Sequence, residues 1–369
     1  MFRNEVTFYI LGLITFLIII LKNNESRTIS NDENDNILNF FFFMIYAFIF
    51  TVFISLRPDQ AGNDTNSYIN TYRAIYDIKS SFKTGLNYHG SADPIFWPAM
   101  ALLKSLGISH QYFILSVGSI SCILFYLSMA TQCKILKLSP WYATFFSVLI
   151  LYTYQLTYMG NLLRISIAYP ICALAFIYAQ KSTSKSLVLG LISIGFHLSC
   201  IIVLPYILIT HLTNKSKINK NKILLAMFFS IIVSSFNENI LFLISNFSFA
   251  PIGEKILLYQ AHSFNIKTIF TTITFWFIAL HFIILLFYGK SRTTLIFFYL
   301  FFIILILSPI PKMAERYFPL ILIIMPAILY SALKERYTTK NVEIFMTTLY
   351  IPIGFILINT ESVRYTLWI

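Results

Sequence analysis

The sequence predicts an all-α, polytopic membrane bundle of about twelve transmembrane helices, and three observations carry that prediction. Hydrophobic residues make up 57% of the 369 and charged residues only 11%, where a soluble domain carries about 25% charge. Apolar runs recur along the whole chain at lengths near that of a bilayer crossing. The Lys and Arg residues fall mostly in the short connections between those runs. No polar stretch is long enough to build a separate core, so residues 1–369 read as one integral membrane domain.

The first apolar run, 6–21, follows Arg3 and is succeeded by Lys22-Asn23-Asn24-Glu25-Ser26-Arg27. No small-residue cleavage site follows it, so it reads as an uncleaved first span. Further spans are expected at 37–56, 110–130, 141–158, 162–180, 186–198, 200–212, 222–235, 267–289, 293–308, 317–333 and 342–358. Several fall short of the ~20 residues that a perpendicular helix needs. The runs 186–198 and 200–212 read as one broken pair around His197. The run 94–106 begins with Pro94 and Pro98 and is too short to cross, so it reads as re-entrant or interfacial. The segment 239–249 is of the same kind.

Orientation follows from basic loops. Lys134/Lys137, Lys181/Lys185, Lys215/Lys217/Lys220/Lys222, Lys290/Arg292 and Lys334/Arg336/Lys340 mark alternate connections, which the positive-inside rule places in the cytoplasm. That rule accounts for the net charge of +12 without nucleic acid as a partner. The connections 158–162, 196–200, 236–266 and 309–316 then face outward, as does the C-terminal tail. The loop 57–93 is expected outside as well if 94–106 does not cross. Arg57, Arg73, Lys79 and Lys83 count against that placement; the loop's length and polar motif argue for it. Cys122, Cys133, Cys172 and Cys200 are scattered without a C-x-x-C pair and read as buried thiols.

Arg164 is the most informative residue. A guanidinium inside an apolar stretch costs roughly 2.5–3.5 kcal/mol at a helix centre and is tolerated where it meets an anion or a wet cavity. Asn161, Arg164 and Ala168 share one helical face, and Arg164 lies on the first turn of a span, where the helix N-terminus adds partial positive charge. Together these make a phosphate or diphosphate site. The alternative is snorkelling to the headgroups. On the same outer side, Lys312 and Arg316 run against the charge bias, with Glu315 available as an ion-pair partner. His197 interrupts an apolar run and can move a proton or hold a phosphate, or it can simply be a packed histidine. Asp64, in the turn Gly62-Asn63-Asp64-Thr65, can cap a helix or act on a sugar hydroxyl. Tyr68, Tyr72, Ile75 and Tyr76 form an aromatic stripe behind it, which could equally anchor an interfacial helix. Neither a P-loop, a G-x-S-x-G, an H-E-x-x-H nor an Asp-x-Asp occurs, so no metal or other cofactor is expected.

These residues fall into an order. Arg57…Gly62-Asn63-Asp64-x3-Tyr68, Asn161…Arg164-x3-Ala168, Phe196-His197-x-Ser199 and Arg316-Tyr317 resemble the EpsG family, a branch of the Wzy-type O-antigen and capsule polysaccharide polymerases. The resemblance covers about 37–340; Ile165 departs from it, since the family commonly has Gln there. It implies a helical, GT-C-like fold and a bacterial plasma-membrane glycosyltransferase whose site faces the periplasm or exterior. Such an enzyme moves a growing glycan from undecaprenyl diphosphate onto the non-reducing end of a lipid-linked repeat unit, without a metal. By position, Arg164, Arg316 and Arg57 would bind the donor diphosphate, and Asp64 or His197 would act on the acceptor hydroxyl. Tyr68, Tyr72 and Asn161 would line the glycan path. The expected partners are the lipid-linked oligosaccharides, membrane lipid, a chain-length regulator and a flippase. Three competing classes are a lipid-linked oligosaccharide flippase, another GT-C enzyme using a polyprenyl-phosphate sugar, and a membrane acyltransferase. A flippase predicts pseudo-symmetric halves, and no segment of the second half repeats those around Arg164 or His197.

Overall fold

The computed structural model describes parts of 40–52, then 64–90, 93–150, 162–212, 220–235, 270, 272–289 and 293–358, the last six as backbone only. Arg57, Asn161 and the runs 6–21 and 239–249 lie outside the described residues. All regular structure among the described residues is helical. The described positions within 40–52 are helical, and three short helices follow: α1 (Thr65–Ala74), α2 (Ile78–His89) and α3 (Phe96–Ser105). The bundle follows with α4 (His110–Ile135), α5 (Trp141–Ile150), α6 (Leu163–Tyr178), α7 (Thr183–Phe196), a 3-10 turn (Leu198–Ile202) and α8 (Val203–Leu212). It continues through α9 (Lys220–Ser235), α10 (Ile273–Tyr288), α11 (Thr294–Leu307), α12 (Pro311–Glu315), α13 (Phe318–Lys334) and α14 (Thr339–Ile358).

Among the described residues α4 alone combines the length and hydropathy of a membrane crossing. The other apolar helices singled out by composition run 10–17 residues, so the observed architecture is a helical bundle with one full-length apolar helix. The outward faces show what surrounds it. Ile273, Trp276, Leu280, Ile283 and Phe287 of α10 are exposed along a single stripe, and so are Leu225, Phe228, Phe229 and Ile232 of α9. Water does not tolerate contiguous apolar stripes of this kind; lipid does.

α6 and α13 form the centre, each buried on nearly every face. In a bilayer, packing and interhelical hydrogen bonds hold helices together, and α6 is tied on two sides. Pro170 removes the amide that would serve the Ser166 carbonyl; the Ser121 hydroxyl of α4 donates to that carbonyl at 2.6 Å. The Ser186 hydroxyl of α7 donates to the Ala175 carbonyl, also at 2.6 Å. Gln132 of α4 reaches the Ile323 carbonyl of α13 at 3.0 Å, beside Pro326. All four cysteines are buried free thiols.

The pre-bundle unit is pinned to the start of α4. Tyr72 donates to the Ile108 carbonyl at 2.5 Å and its ring stacks on Phe113 at 5.0 Å. Lys104 of α3 reaches the Arg73 and Ile75 carbonyls, each at 2.6 Å, satisfying the open end of α1. α2 begins with a reciprocal cap in which Asp77 accepts from the Ser80 amide at 2.6 Å and Ser80 Oγ accepts from the Asp77 amide at 3.1 Å. Those bonds hold the Asp77 carboxyl below its ordinary range. At ~1.5 Å per residue, α3 covers about 15 Å, half of a hydrocarbon core. The 64–90 segment therefore lies at the same end of the bundle as the start of α4. Gly85 and Gly195 allow α3 and the residues before it to nestle. A Cβ on Gly85 would come within 2.4 Å of Trp97, and one on Gly195 within 2.5 Å of Ile95.

Candidate active site

α6 organises the site at one end of the bundle. Its first turn carries Arg164, 7% exposed, whose Nη1 makes a hydrogen-bonded ion pair with Asp93. Nε of Arg164 donates to Tyr68 Oη at 3.0 Å, and the guanidinium carbon lies 5.2 Å from the Trp97 ring centre. A buried guanidinium needs such compensation, since an unpaired charge there costs several kcal/mol. Asp93 precedes Pro94 and is itself 2% exposed. Behind it, His89 stacks on Tyr68 at 4.5 Å and on Trp97 at 4.9 Å. Its Nε2 stands 3.0 Å from Thr71 Oγ1, and the Thr71 hydroxyl proton goes to the Ser67 carbonyl at 2.7 Å. The His89 ring is therefore assigned a proton on Nε2.

Five residues along α6, an axial rise of about 7.5 Å, Tyr169 begins a second cluster. Its hydroxyl donates to the Arg316 carbonyl at 2.8 Å and lies 3.2 Å from Ser199 Oγ. Ser199 Oγ in turn lies 2.6 Å from His197 Nδ1, which also accepts from the Ser199 amide at 3.2 Å. His197 ends α7 in extended conformation and caps the 3-10 turn that follows; this is the break expected from hydropathy. Tyr317 reaches the Ser199 carbonyl at 3.4 Å. Nδ1 of His197 is thus an acceptor committed to Ser199, which leaves the proton of the neutral ring on Nε2 as a donor. The two clusters are stitched together where the Ile95 amide donates to the Gly195 carbonyl at 2.9 Å, two residues from Asp93 on one strand of the contact and from His197 on the other.

The structure thus brings Tyr68, Arg164, His197 and the backbone of Arg316 to one end of the bundle. Asp64 heads α1 in the capping position, but its side chain makes no cap bond. Burial raises the Tyr68 phenol above its ordinary range; the Arg164 charge opposes this, and the Asp64 and Asp93 charges add to it. The Asp64 carboxylate is thus within electrostatic reach of Tyr68. Tyr72 and Ile75 are buried in packing, while Tyr76 is 91% exposed. Glu315, half-buried on α12, has its carboxyl raised by burial, with Lys312 pulling the other way. Among the described residues no His, Cys, Asp and Glu cluster could hold a metal ion. Asp93 was missed from sequence, as were His89, Trp97 and Tyr169; Ser199 was quoted in a motif but given no role. The signal for Asp93 was present: an acid directly before Pro94 and an apolar run.

A family model described as the EpsG family matches residues 40–368. The chain belongs to the EpsG family. This is a family of membrane proteins related to polysaccharide polymerases and glycosyltransferases. No curated protein and no solved structure matches the chain. Within this EpsG-family chain the matched region contains every described residue of both clusters, from Asp64 to Tyr317.

Proposed function

We propose that this EpsG-family protein is a polysaccharide polymerase of the Wzy type, working at the outer face of the bacterial plasma membrane. It transfers a growing glycan from undecaprenyl diphosphate to the non-reducing end of a lipid-linked repeat unit. The observation that carries the reading is a buried, oriented guanidinium, Arg164, held at one end of α6 next to the His197–Ser199–Tyr169–Arg316 chain.

In the transfer, an acceptor hydroxyl oxygen attacks the anomeric carbon as the bond from that carbon to the diphosphate oxygen breaks. The hydroxyl proton passes to the Asp64 carboxylate, while His197, whose Nδ1 accepts from Ser199, offers its Nε2–H as a donor to a substrate oxygen. The products are the lengthened lipid-linked glycan and undecaprenyl diphosphate. Negative charge develops on the leaving diphosphate, where fixed cations stabilise the transition state more than the ground state. Arg164 and Arg316 supply that charge, with Arg57 contributing from the loop. Asp93 keeps the Arg164 guanidinium compensated and aimed before substrate arrives. Asp64 acts as that base from the head of α1; Tyr68 and Asn161 flank the glycan, with Tyr72 supporting from the packing beneath.

Arg164→Ala and Arg316→Ala should each abolish the long-chain ladder on a surface-glycan gel, leaving single-repeat material while the protein still inserts. Losing one such donor typically costs about 10²–10³ in rate. Lys at either position should rescue poorly, because a point charge lacks the planar two-pronged match to phosphate oxygens. Normal polymer length in both alanine variants would reject these roles, and loss of all surface repeats would point to a flippase.

A further inference from the structure

The opposite end of the bundle, remote from Arg164, holds a cavity of about 280 Å³ between the end of α10, the end of α13 and the start of α14. Its walls are mostly apolar, Ile284, Leu333, Val342 and Phe345, with Asn341 as the one polar lining side chain besides the tyrosines. Its rim is aromatic, with the Tyr288 and Tyr337 hydroxyls 3.1 Å apart. The rim is also cationic. The Arg336 guanidinium carbon lies 5.5 Å from the Tyr288 ring centre, and Lys334 and Lys340 are exposed on the same connection. Exposed Glu335 is the one acid facing water on that connection; Glu343 is buried, accepting from Tyr142 at 2.6 Å. Phe345 and its neighbour Ile344 are exposed, so the cavity mouth continues onto the face that meets lipid.

We propose that this cavity is a structural binding site for an anionic glycerophospholipid. An acyl-chain segment lies among Ile284, Leu333, Val342 and Phe345, and the phosphate-bearing headgroup meets Arg336 and Lys340. Amphipathic tyrosines mark the depth at which hydrocarbon gives way to headgroups. Cations at that depth attract anionic lipid, each contributing on the order of 1 kcal/mol, or about fivefold in affinity. The cavity falls just below the ~300 Å³ at the small end of ligand sites, which suits part of one chain rather than a whole lipid. Charge selects the class: a zwitterionic headgroup brings a choline or ethanolamine cation against Arg336.

The test is native mass spectrometry of the full-length protein released from nanodiscs of phosphatidylcholine mixed with phosphatidylglycerol. The wild type should retain phosphatidylglycerol in preference to phosphatidylcholine. The double variant Arg336→Gln/Lys340→Gln, altered only at exposed positions, should retain it roughly 25-fold less. Val342→Phe, which fills the cavity, should also lose the lipid, with thermal unfolding in lipid-free detergent confirming that it folds. Equal retention of the two lipids, an unchanged double variant, or preferential capture of added polyprenyl phosphate would each overturn the proposal.

Discussion

Arg164 and Asp93 are separated by 70 intervening positions and meet as a buried pair, and this contrast explains what could be read in advance at the level of single residues. Arg164 was legible because an arginine within an apolar run violates the chemistry of its surroundings. Its partner was not, because sequence shows which side chain needs compensation without showing where in space it comes from. His197 stood out for the same reason, as an interruption of an apolar run, and Arg316 because it runs against the positive-inside bias of its connection. Tyr169 was not: a tyrosine in an apolar helix breaks no rule until its hydroxyl is seen between Ser199 and the Arg316 carbonyl. Tyr68 gives a pH-dependent prediction. Its folded-state pKa is raised, so the neutral phenol contributes stability that is intact below the ordinary tyrosine value of about 10 and lost as pH rises through the folded value. Tyr68→Phe cannot ionise there. The gap in thermal midpoint between wild type and Tyr68→Phe should be constant from pH 7 to about 9 and shift against the wild type above about 10. A gap independent of pH up to the alkaline limit would contradict the burial of that phenol.

The elements tell a different story from the composition that announced them. The run 94–106 is a short helix, and the pair 186–198 and 200–212 is broken at His197, both consistent with runs too short for a crossing. Of the two readings open for Asp64, a helix cap or a group acting on a sugar hydroxyl, the cap is not made: the side-chain cap in this region belongs to Asp77 and Ser80 on α2. An Asp at a turn is insufficient for a cap, since the carboxylate must find the amide two or three residues on. Gly195 is where the elements matter most for function. Its carbonyl accepts from the Ile95 amide and its missing side chain admits Ile95. Gly195→Val should push the Asp93–Ile95 corner away and lower polymer yield at least tenfold, since a displacement of about 1 Å can cost 10²-fold in rate. Membrane levels of the protein, measured by immunoblot, should fall far less than the yield; parallel losses would mean that the glycine serves folding alone.

For the whole molecule, the helical class followed from hydropathy, while the number of crossings and their sidedness rested on charge bias between runs of unequal length. Many of those runs form helices of 10–17 residues, because an apolar run marks where lipid or protein surrounds the chain and leaves helix ends to capping and breaks. Sidedness is open to direct measurement, because all four native thiols are buried. Membrane-impermeant maleimide should find nothing to alkylate in the native chain on intact cells or spheroplasts. A lone cysteine placed at exposed Lys79 would then report from a silent background. The proposed polarity requires that position to react before the envelope is breached, whereas Lys340→Cys should react only after lysis. The reverse pattern would turn the Arg164 end toward the cytosol. The molecule thus arrives already suited to chemical mapping, with no native side chain to remove first.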